Sequence, residues 1–216
     1  MLTEFNVKNF LSFKDHNTFS MVGMKSFKEH EAANTIAISS KMKLLKSAVV
    51  LGNNGSGKSN LIDAFGFMKW FVINSFRDAL MGDEDKKIPL TKFLLNADSD
   101  KTPTMFEMTF IAESTKYRYG FELEESEVIS EWLFHTTSKE VALFTREKDN
   151  ITVNKSSFKE GLDLIDKTKK NVLFLTVAAQ FNGEISSRVI NWFKSYNVIN
   201  GLNDLGYKKY TIQKLT

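Results

Sequence analysis

Hydrophobic and polar positions change their period several times along this chain, and each change marks a predicted element. Leu2 to Phe10 alternates, with Phe5 and Val7 on one face, which predicts a strand. A turn near Lys14-Asp15-His16 and a second strand ending about Val22 complete an N-terminal hairpin. Gly23 to Lys43 is polar and mixed, a loop with a short strand at Thr35 to Ile38. From Leu44 to Leu51 the apolar residues run together, interrupted only by Lys46 and Ser47, the pattern of a strand buried on both faces. Between Lys58 and about Leu80 the period becomes helical. Leu61, Phe65, Met68, Val72, Phe76 and Ala79 form a stripe that Ile62, Ala64 and Phe71 widen, and this face reads as core.

"MGDEDKKIP" ends that helix in a charged loop. Alternation returns at Met105 to Ala112, Lys116 to Leu123, Val128 to Thr136 and Val141 to Arg146. "ESTK" and "EESE" serve as hairpin connections, so this region reads as an antiparallel meander. Beyond Asn150 helical patterns return, at Phe158 to Lys167 and at Ser186 to Asn197, the latter amphipathic around Val189, Ile190 and Phe193. Val172 to Gln180 fits helix or strand, and the closing "YKKYTIQKLT" starts another strand. The chain has no internal repeat, and its two prolines, Pro89 and Pro103, mark no linker.

The chemistry sits where the apolar run meets the long helix, in "VVLGNNGSGKSNLIDAF". Gly52, Gly57, Lys58 and Ser59 satisfy G-x-x-x-x-G-K-[ST]. Phosphate oxygens need several donors converging on a small volume, and successive backbone N–H groups supply them only where the chain curls tightly. Gly52, Gly55 and Gly57 permit that curl and a close approach of the ligand. The helix that follows adds unpaired amides and the positive end of its dipole. Lys58 can reach the β- and γ-phosphates, and the Ser59 hydroxyl can bind Mg²⁺. By composition alone the pattern arises in on the order of one in a hundred chains of this length. A strand before it and a helix after it then point to nucleotide phosphate.

Composition changes this picture little. At 216 residues the chain can bury one sizeable core, or one domain with a subdomain. The absence of cysteine excludes a disulfide framework and a thiolate metal site. The opening lacks the form of a signal peptide, no apolar run approaches the ~20 residues that cross a bilayer, and a cytoplasmic protein is expected. Net charge is +3, and short lysine clusters at Lys41, Lys43 and Lys46, at Lys167, Lys169 and Lys170, and at Lys208 and Lys209 read as solvated surface. Contact with nucleic-acid phosphates is the alternative.

The wording "GNNGSGKSNLIDA" resembles the phosphate loop of the SMC and RecF-like branch of ABC-type ATPases. "LTEFNVKNFLSFKD" resembles the opening strand and turn of the same branch. With a β-rich insertion after the first helix, the combination is similar to the OLD-type and abortive-infection ATPases of phage defence. The resemblance implies an α/β P-loop NTPase fold, an ABC-type head with a mixed sheet, an N-terminal hairpin and an inserted antiparallel β-rich lobe followed by helices. On that reading residues 1–216 are one partial head: 1–82 with the loop and first helix, 83–155 the β-rich insertion, 156–216 mainly helical. It assigns Asn54, Gly55, Ser56, Gly57, Lys58 and Ser59 to the phosphates of ATP and to Mg²⁺, with Ser59 the metal ligand and Asn60 just behind. The purine would lie near the N-terminal hairpin. Many members carry a basic residue where this chain has Leu11, and Lys14 is the nearest substitute. A second ATPase head, DNA or an effector protein are the partners implied, with no membrane.

Hydrolysis needs further parts, an acidic pair at the end of an apolar strand above all. No such pair follows an apolar run here; "GLDLIDK", ending at Asp166, reads as an amphipathic helix, and Glu122, Glu124, Glu125 and Glu127 read as solvated carboxylates. An "LSGGQ"-like signature and the late histidine of that family do not occur. His16, His30 and His135 show no ligand spacing, and Gln180 is a late candidate for the bridging glutamine. The expectation is an N-terminal part of a longer ATPase. A stand-alone ATP sensor without turnover and a small P-loop kinase are the alternatives, although Arg77, Arg118, Arg146 and Arg188 are too dispersed to form a kinase lid.

Overall fold

The computed structural model describes residues 1–24, 26, 29–81, 87–199, 208 and 211–212. Strands β1 (Leu2–Lys8) and β2 (Asn17–Ser20) form the expected hairpin. Its tight turn lies earlier than Lys14–His16: Phe10 and Phe13 exchange backbone hydrogen bonds of 3.0 and 2.8 Å across Leu11 and Ser12. The short helix α1 (Glu31–Asn34) leads into β3 (Thr35–Ala37), which pairs with β4 (Lys43–Leu45). Helix α2 (Lys58–Met81) follows the glycine loop.

Next comes the meander, β5 (Thr104–Ala112), β6 (Thr115–Leu123), β7 (Val128–Thr136) and β8 (Glu140–Glu147). Aromatic and β-branched residues recur along these strands, the composition that suits a pleated half-buried surface. Glu113 and Ser114 both take left-handed conformations, the geometry a two-residue hairpin connection requires. A fifth strand, β9 (Asn150–Val153), extends the meander where a return to helix was expected. It carries Ile151 and Val153 two apart, a period too short to stand out in the sequence.

All these strands except β3 and β4 join one sheet, in the order β2-β1-β5-β6-β7-β8-β9, and every ladder is antiparallel. The mixed sheet expected from the sequence is therefore absent among the described residues. β5 pairs directly with β1, so the β-rich region continues the N-terminal hairpin. One face of the sheet is apolar from edge to edge: Phe5 and Val7, then Phe106, Met108 and Phe110, then Tyr117, Tyr119, Phe121 and Leu123, then Leu133 and Phe144, all buried. Helix α2 covers this face through Ala64, Met68, Phe71 and Val72, with Phe65 stacked on Phe5 at 4.1 Å and Phe67 on Phe106 at 5.1 Å. The helical stripe is as expected, except that Ile62 is largely exposed.

Two further helices close the same face, α3 (Phe174–Gln180) and α4 (Glu184–Ser195). Trp192 of α4 stacks on Phe110 at 3.9 Å. The ambiguous run at Val172 to Gln180 is thus helix. The helix expected at Phe158 to Lys167 is instead two single 3₁₀ turns, Lys159–Gly161 and Ile165–Lys167. Phe158 is buried against Phe144 and Phe174, and this aromatic cluster holds the segment in place of a continuous helix. The strand expected at the end of the chain falls largely outside the described residues; of those described, Lys208, Thr211 and Ile212 are helical.

Glu131 joins the meander to α3. It stands opposite Phe121 and Arg146 on the apolar face and has no solvent exposure. Its carboxylate accepts hydrogen bonds from the amides of Phe174 and Leu175 at 2.6 and 3.0 Å, and from the Tyr119 hydroxyl at 2.9 Å. Arg146 lies 3.8 Å away and donates to the carbonyls of Lys148 and Val172, both at 2.6 Å. Burial pushes the Glu131 carboxyl above the ordinary range, and Arg146 with the two amides opposes that rise. Burial and the nearby Glu131 charge push the Tyr119 phenol well above 10.0.

Candidate functional site

Residues 46–53 lead into the glycine loop without joining a ladder, and here the structure departs most from the sequence reading. Strand β4 stops at Leu45, and Val49, Val50 and Leu51 are 81, 47 and 86% exposed. Leu44 alone of the predicted buried strand is in the core. The reason is topological: the helices cover the meander face, and no strand among the described residues lies beside 46–53.

The loop itself has the predicted curl. Gly55 and Gly57 adopt φ of 80° and 86°, which side-chain-bearing residues rarely enter. Ser56 donates its amide to the Asn53 carbonyl at 3.2 Å, closing a turn, and the first helical bond runs from Leu61 to Gly57 at 3.1 Å. Among the described residues, the amides of Gly55, Gly57, Lys58, Ser59 and Asn60 have no acceptor. They converge at the N-terminus of a 24-residue helix, so the site offers donors and a positive dipole end to an anion. Asn54, Gly55, Ser56 and Ser59 are exposed, while Gly57, Lys58 and Asn60 are half-buried. The Lys58 ammonium folds back on its own loop, donating to the carbonyls of Gly52 and Asn53 at 2.8 Å each. Ser59 presents its hydroxyl at the surface in the first turn of α2, a position from which an oxygen ligand could reach a cation.

One wall beyond the loop is the turn at Leu11–Ser12. Asn9 and Leu11 have φ of 51° and 49°, conformations uncommon outside glycine. A Cβ added to Gly57 would lie 2.5 Å from the Ser12 hydroxyl, so Gly57 also lets the turn and loop approach closely. Together they border a cleft of about 670 Å³, lined by Leu11, Ser12, Phe13 and Asn17, by Gly55, Ser56 and Asn60, and by residues 91–95. Lys14 is not among the lining residues, whereas Leu11 is. Leu11 therefore borders the cleft with an apolar side chain.

Other candidates stand apart from this site. Gln180 opens on a groove with Phe76 and Arg77, near the far end of α2. At 1.5 Å per residue that is about 25 Å along the helix from Ser59, out of reach of the loop. Glu124 and Glu125 pair with Lys92 and Lys87, each at 2.6 Å, and Glu122 accepts from the Ser130 hydroxyl at 2.9 Å. Asp166 lies in a 3₁₀ turn. Sequence reading missed residues 91–95 as a cleft wall; "TKFLLN" sets two leucines beside polar residues in a stretch without period, which gives no signal by itself.

The family model described as "AAA domain, putative AbiEii toxin, Type IV TA system" matches residues 47–212. That range takes in the glycine loop, α2, the meander and both closing helices. AAA domains bind nucleotide through a P-loop, and Gly52 to Ser59 carry the sequence pattern of such a loop. No curated protein matches the chain. Among the described residues, no helix is long and apolar enough to cross a membrane.

Proposed function

Because the chain belongs to this family of AAA domains, we propose that it binds ATP with Mg²⁺ at residues 52–60, as the N-terminal part of an SMC/RecF-like ABC-type ATPase head that acts in DNA transactions or anti-phage defence. The observation that carries the binding is the set of unpaired amides of Gly55, Gly57, Lys58, Ser59 and Asn60, curled by two left-handed glycines at the head of α2. Such a nest stabilises a polyphosphate because its dipoles are fixed in place before the ligand arrives. On this reading Lys58 leaves the carbonyls of Gly52 and Asn53 for the phosphates, Ser59 supplies an oxygen to Mg²⁺, and the purine lies on the side of the N-terminal hairpin. When bound, Mg²⁺ would neutralise charge on the phosphate oxygens.

The exposed Val49–Leu51 segment supports the wider reading. An apolar run of this kind is stable only when covered on both faces, so catalytic strands supplied from outside the described residues would complete it. Two such heads closing on ATP would then gate an effector. The binding test is calorimetry with Mg-ATP on the chain and on Lys58→Ala. Loss of a charge-assisted contact should weaken binding about 100-fold, and equal affinity of the two proteins would overturn the proposal. Phosphate release by this chain alone would count against a catalytic half supplied from elsewhere, and phosphoryl transfer to a small acceptor would select a kinase instead.

A further inference from the structure

Residues 90–96 form no ladder, and 91–95 line the same cleft as the Leu11–Ser12 turn. They are held by Asn9, by the Leu11 amide and by the ion pair of Lys92 with Glu124. Asn9 is buried and uses both ends of its amide: Oδ1 accepts from the Phe93 N–H at 3.2 Å, and Nδ2 donates to the Ser99 and Thr102 carbonyls at 2.8 and 2.7 Å. Beside it, the Leu11 amide donates to the Thr91 carbonyl at 3.0 Å. The left-handed φ of Asn9 lets one residue turn the chain toward the loop and point its side chain at the wall. Backbone held in such a region persists where the surroundings fix it, and such positions cluster at binding sites.

The wall has a particular chemistry. Leu94 and Leu95 are 79 and 89% exposed, beside the half-buried Leu11 and Phe13 that line the same cleft. Its one charged residue, Lys92, is neutralised by Glu124 at 2.6 Å and also donates to the Asp100 carbonyl. Aliphatic side chains without net charge suit the faces of a neutral ring and offer nothing to a phosphate. Gly55, Ser56 and Asn60 of the glycine loop line the same cleft.

We propose that Asn9 is a positioning residue for nucleotide recognition: through Phe93 it helps to fix residues 91–95 so that the base of the nucleotide lies against Leu11, Leu94 and Leu95. This rests on the loop holding the phosphates. Asn9 acts through the wall, while Lys58 and the nest carry the phosphate contacts.

Amide hydrogen exchange on the chain, with and without saturating Mg-ATP, separates the two. In the wild type, Mg-ATP slows exchange by about tenfold or more both at residues 53–59 and at Leu94 and Leu95, as binding linkage requires. Asn9→Ala keeps the slowing at 53–59 and loses it at 94–95. Its affinity for Mg-ATP falls about tenfold while that for Mg-tripolyphosphate stays within about twofold. Leu95→Asp, on an exposed side chain, gives the same separation and decides the matter if Asn9→Ala does not fold. Slowing confined to 53–59 in the wild type overturns the proposal and leaves the phosphate reading standing, as does slowing at 94–95 that survives in the folded variants. If Mg-ATP slows exchange at neither segment, the nucleotide reading fails with it.

Discussion

Between Thr104 and Glu147 each strand has a hydrogen-bonded neighbour on both sides, and its inward side chains meet α2, α3 or α4. Between Lys46 and Asn53 the chain carries the apolar run Val49–Leu51, yet it joins no ladder and its side chains lie in solvent. The two regions differ in what completes them. The meander satisfies its backbone and its apolar face within this chain, so its residues hold each other. The approach to the P-loop has sequence fit for a sheet centre and no sheet around it. Stability therefore resides in the meander and helices, while the chemistry hangs from the N-terminus of α2. Substitutions in the two regions should read out in different experiments.

The largest effect on stability is expected at Glu131. Glu131→Ala strips the α3 amides of their acceptor and leaves Arg146 buried without its counter-charge, which should cost about 3–5 kcal/mol; a urea midpoint measures it. Nucleotide binding by the fraction still folded should be unchanged. If binding falls with it at low temperature, where the variant is folded, the separation of the two regions is wrong. Gly120→Ala comes next. An added Cβ would lie 2.5 Å from the Trp132 ring and 2.9 Å from the Phe106 carbonyl on the outer face of the sheet. Overpacking of that kind costs about 1–3 kcal/mol, and a loss below that range in thermal unfolding would mean that the Trp132 ring moves aside freely.

These two sites also show what the sequence could reveal. Alternation disclosed each meander strand to within one or two residues, because a half-buried strand writes period two into its own composition. Glu131 was legible in principle: it falls in phase with Leu133 on the inward face, where a charge demands partners. Those partners, Arg146 and the head of α3, come from other elements, so a local window does not contain them. The glycine loop was legible because its curl is a backbone conformation fixed by a local pattern. Asn9 was not, since its partners at Phe93, Ser99 and Thr102 lie 84 to 93 residues away. The 46–53 segment was misread for the complementary reason: composition states what a segment prefers, and topology decides whether that preference is met.

A smaller effect comes from acid. Arg118 holds the Glu140 carboxyl below its ordinary value of 4.5, chiefly through their hydrogen bonds, which measure 3.0 and 2.9 Å. Because the folded value is depressed, this contribution is complete above pH 4.5 and is lost as pH falls through the folded value. Half exposed to solvent, the pair is worth no more than about 0.5 kcal/mol. Stability curves of the wild type and Glu140→Gln should therefore run apart slightly at neutral pH and converge as the pH falls through the depressed Glu140 value. Curves that diverge on acidification would reverse the sign of the coupling.

The smallest predicted effect tests the comparison most directly. Val49→Thr with Leu51→Ser removes apolar surface that is already in water, so the doubly substituted chain should unfold within about 0.5 kcal/mol of wild type. The same pair placed in a covered strand would lose about 1.5–3 kcal/mol per side chain from burial alone. A loss on that scale would mean that 46–53 is covered in solution. Sedimentation at two concentrations would then distinguish coverage by a second copy, which responds to dilution, from coverage within one chain, which does not. Near-neutrality has its own consequence. An apolar strand that contributes nothing to the stability of the chain carrying it must be maintained by what it meets elsewhere, and at 46–53 that meeting lies one turn from the phosphate nest.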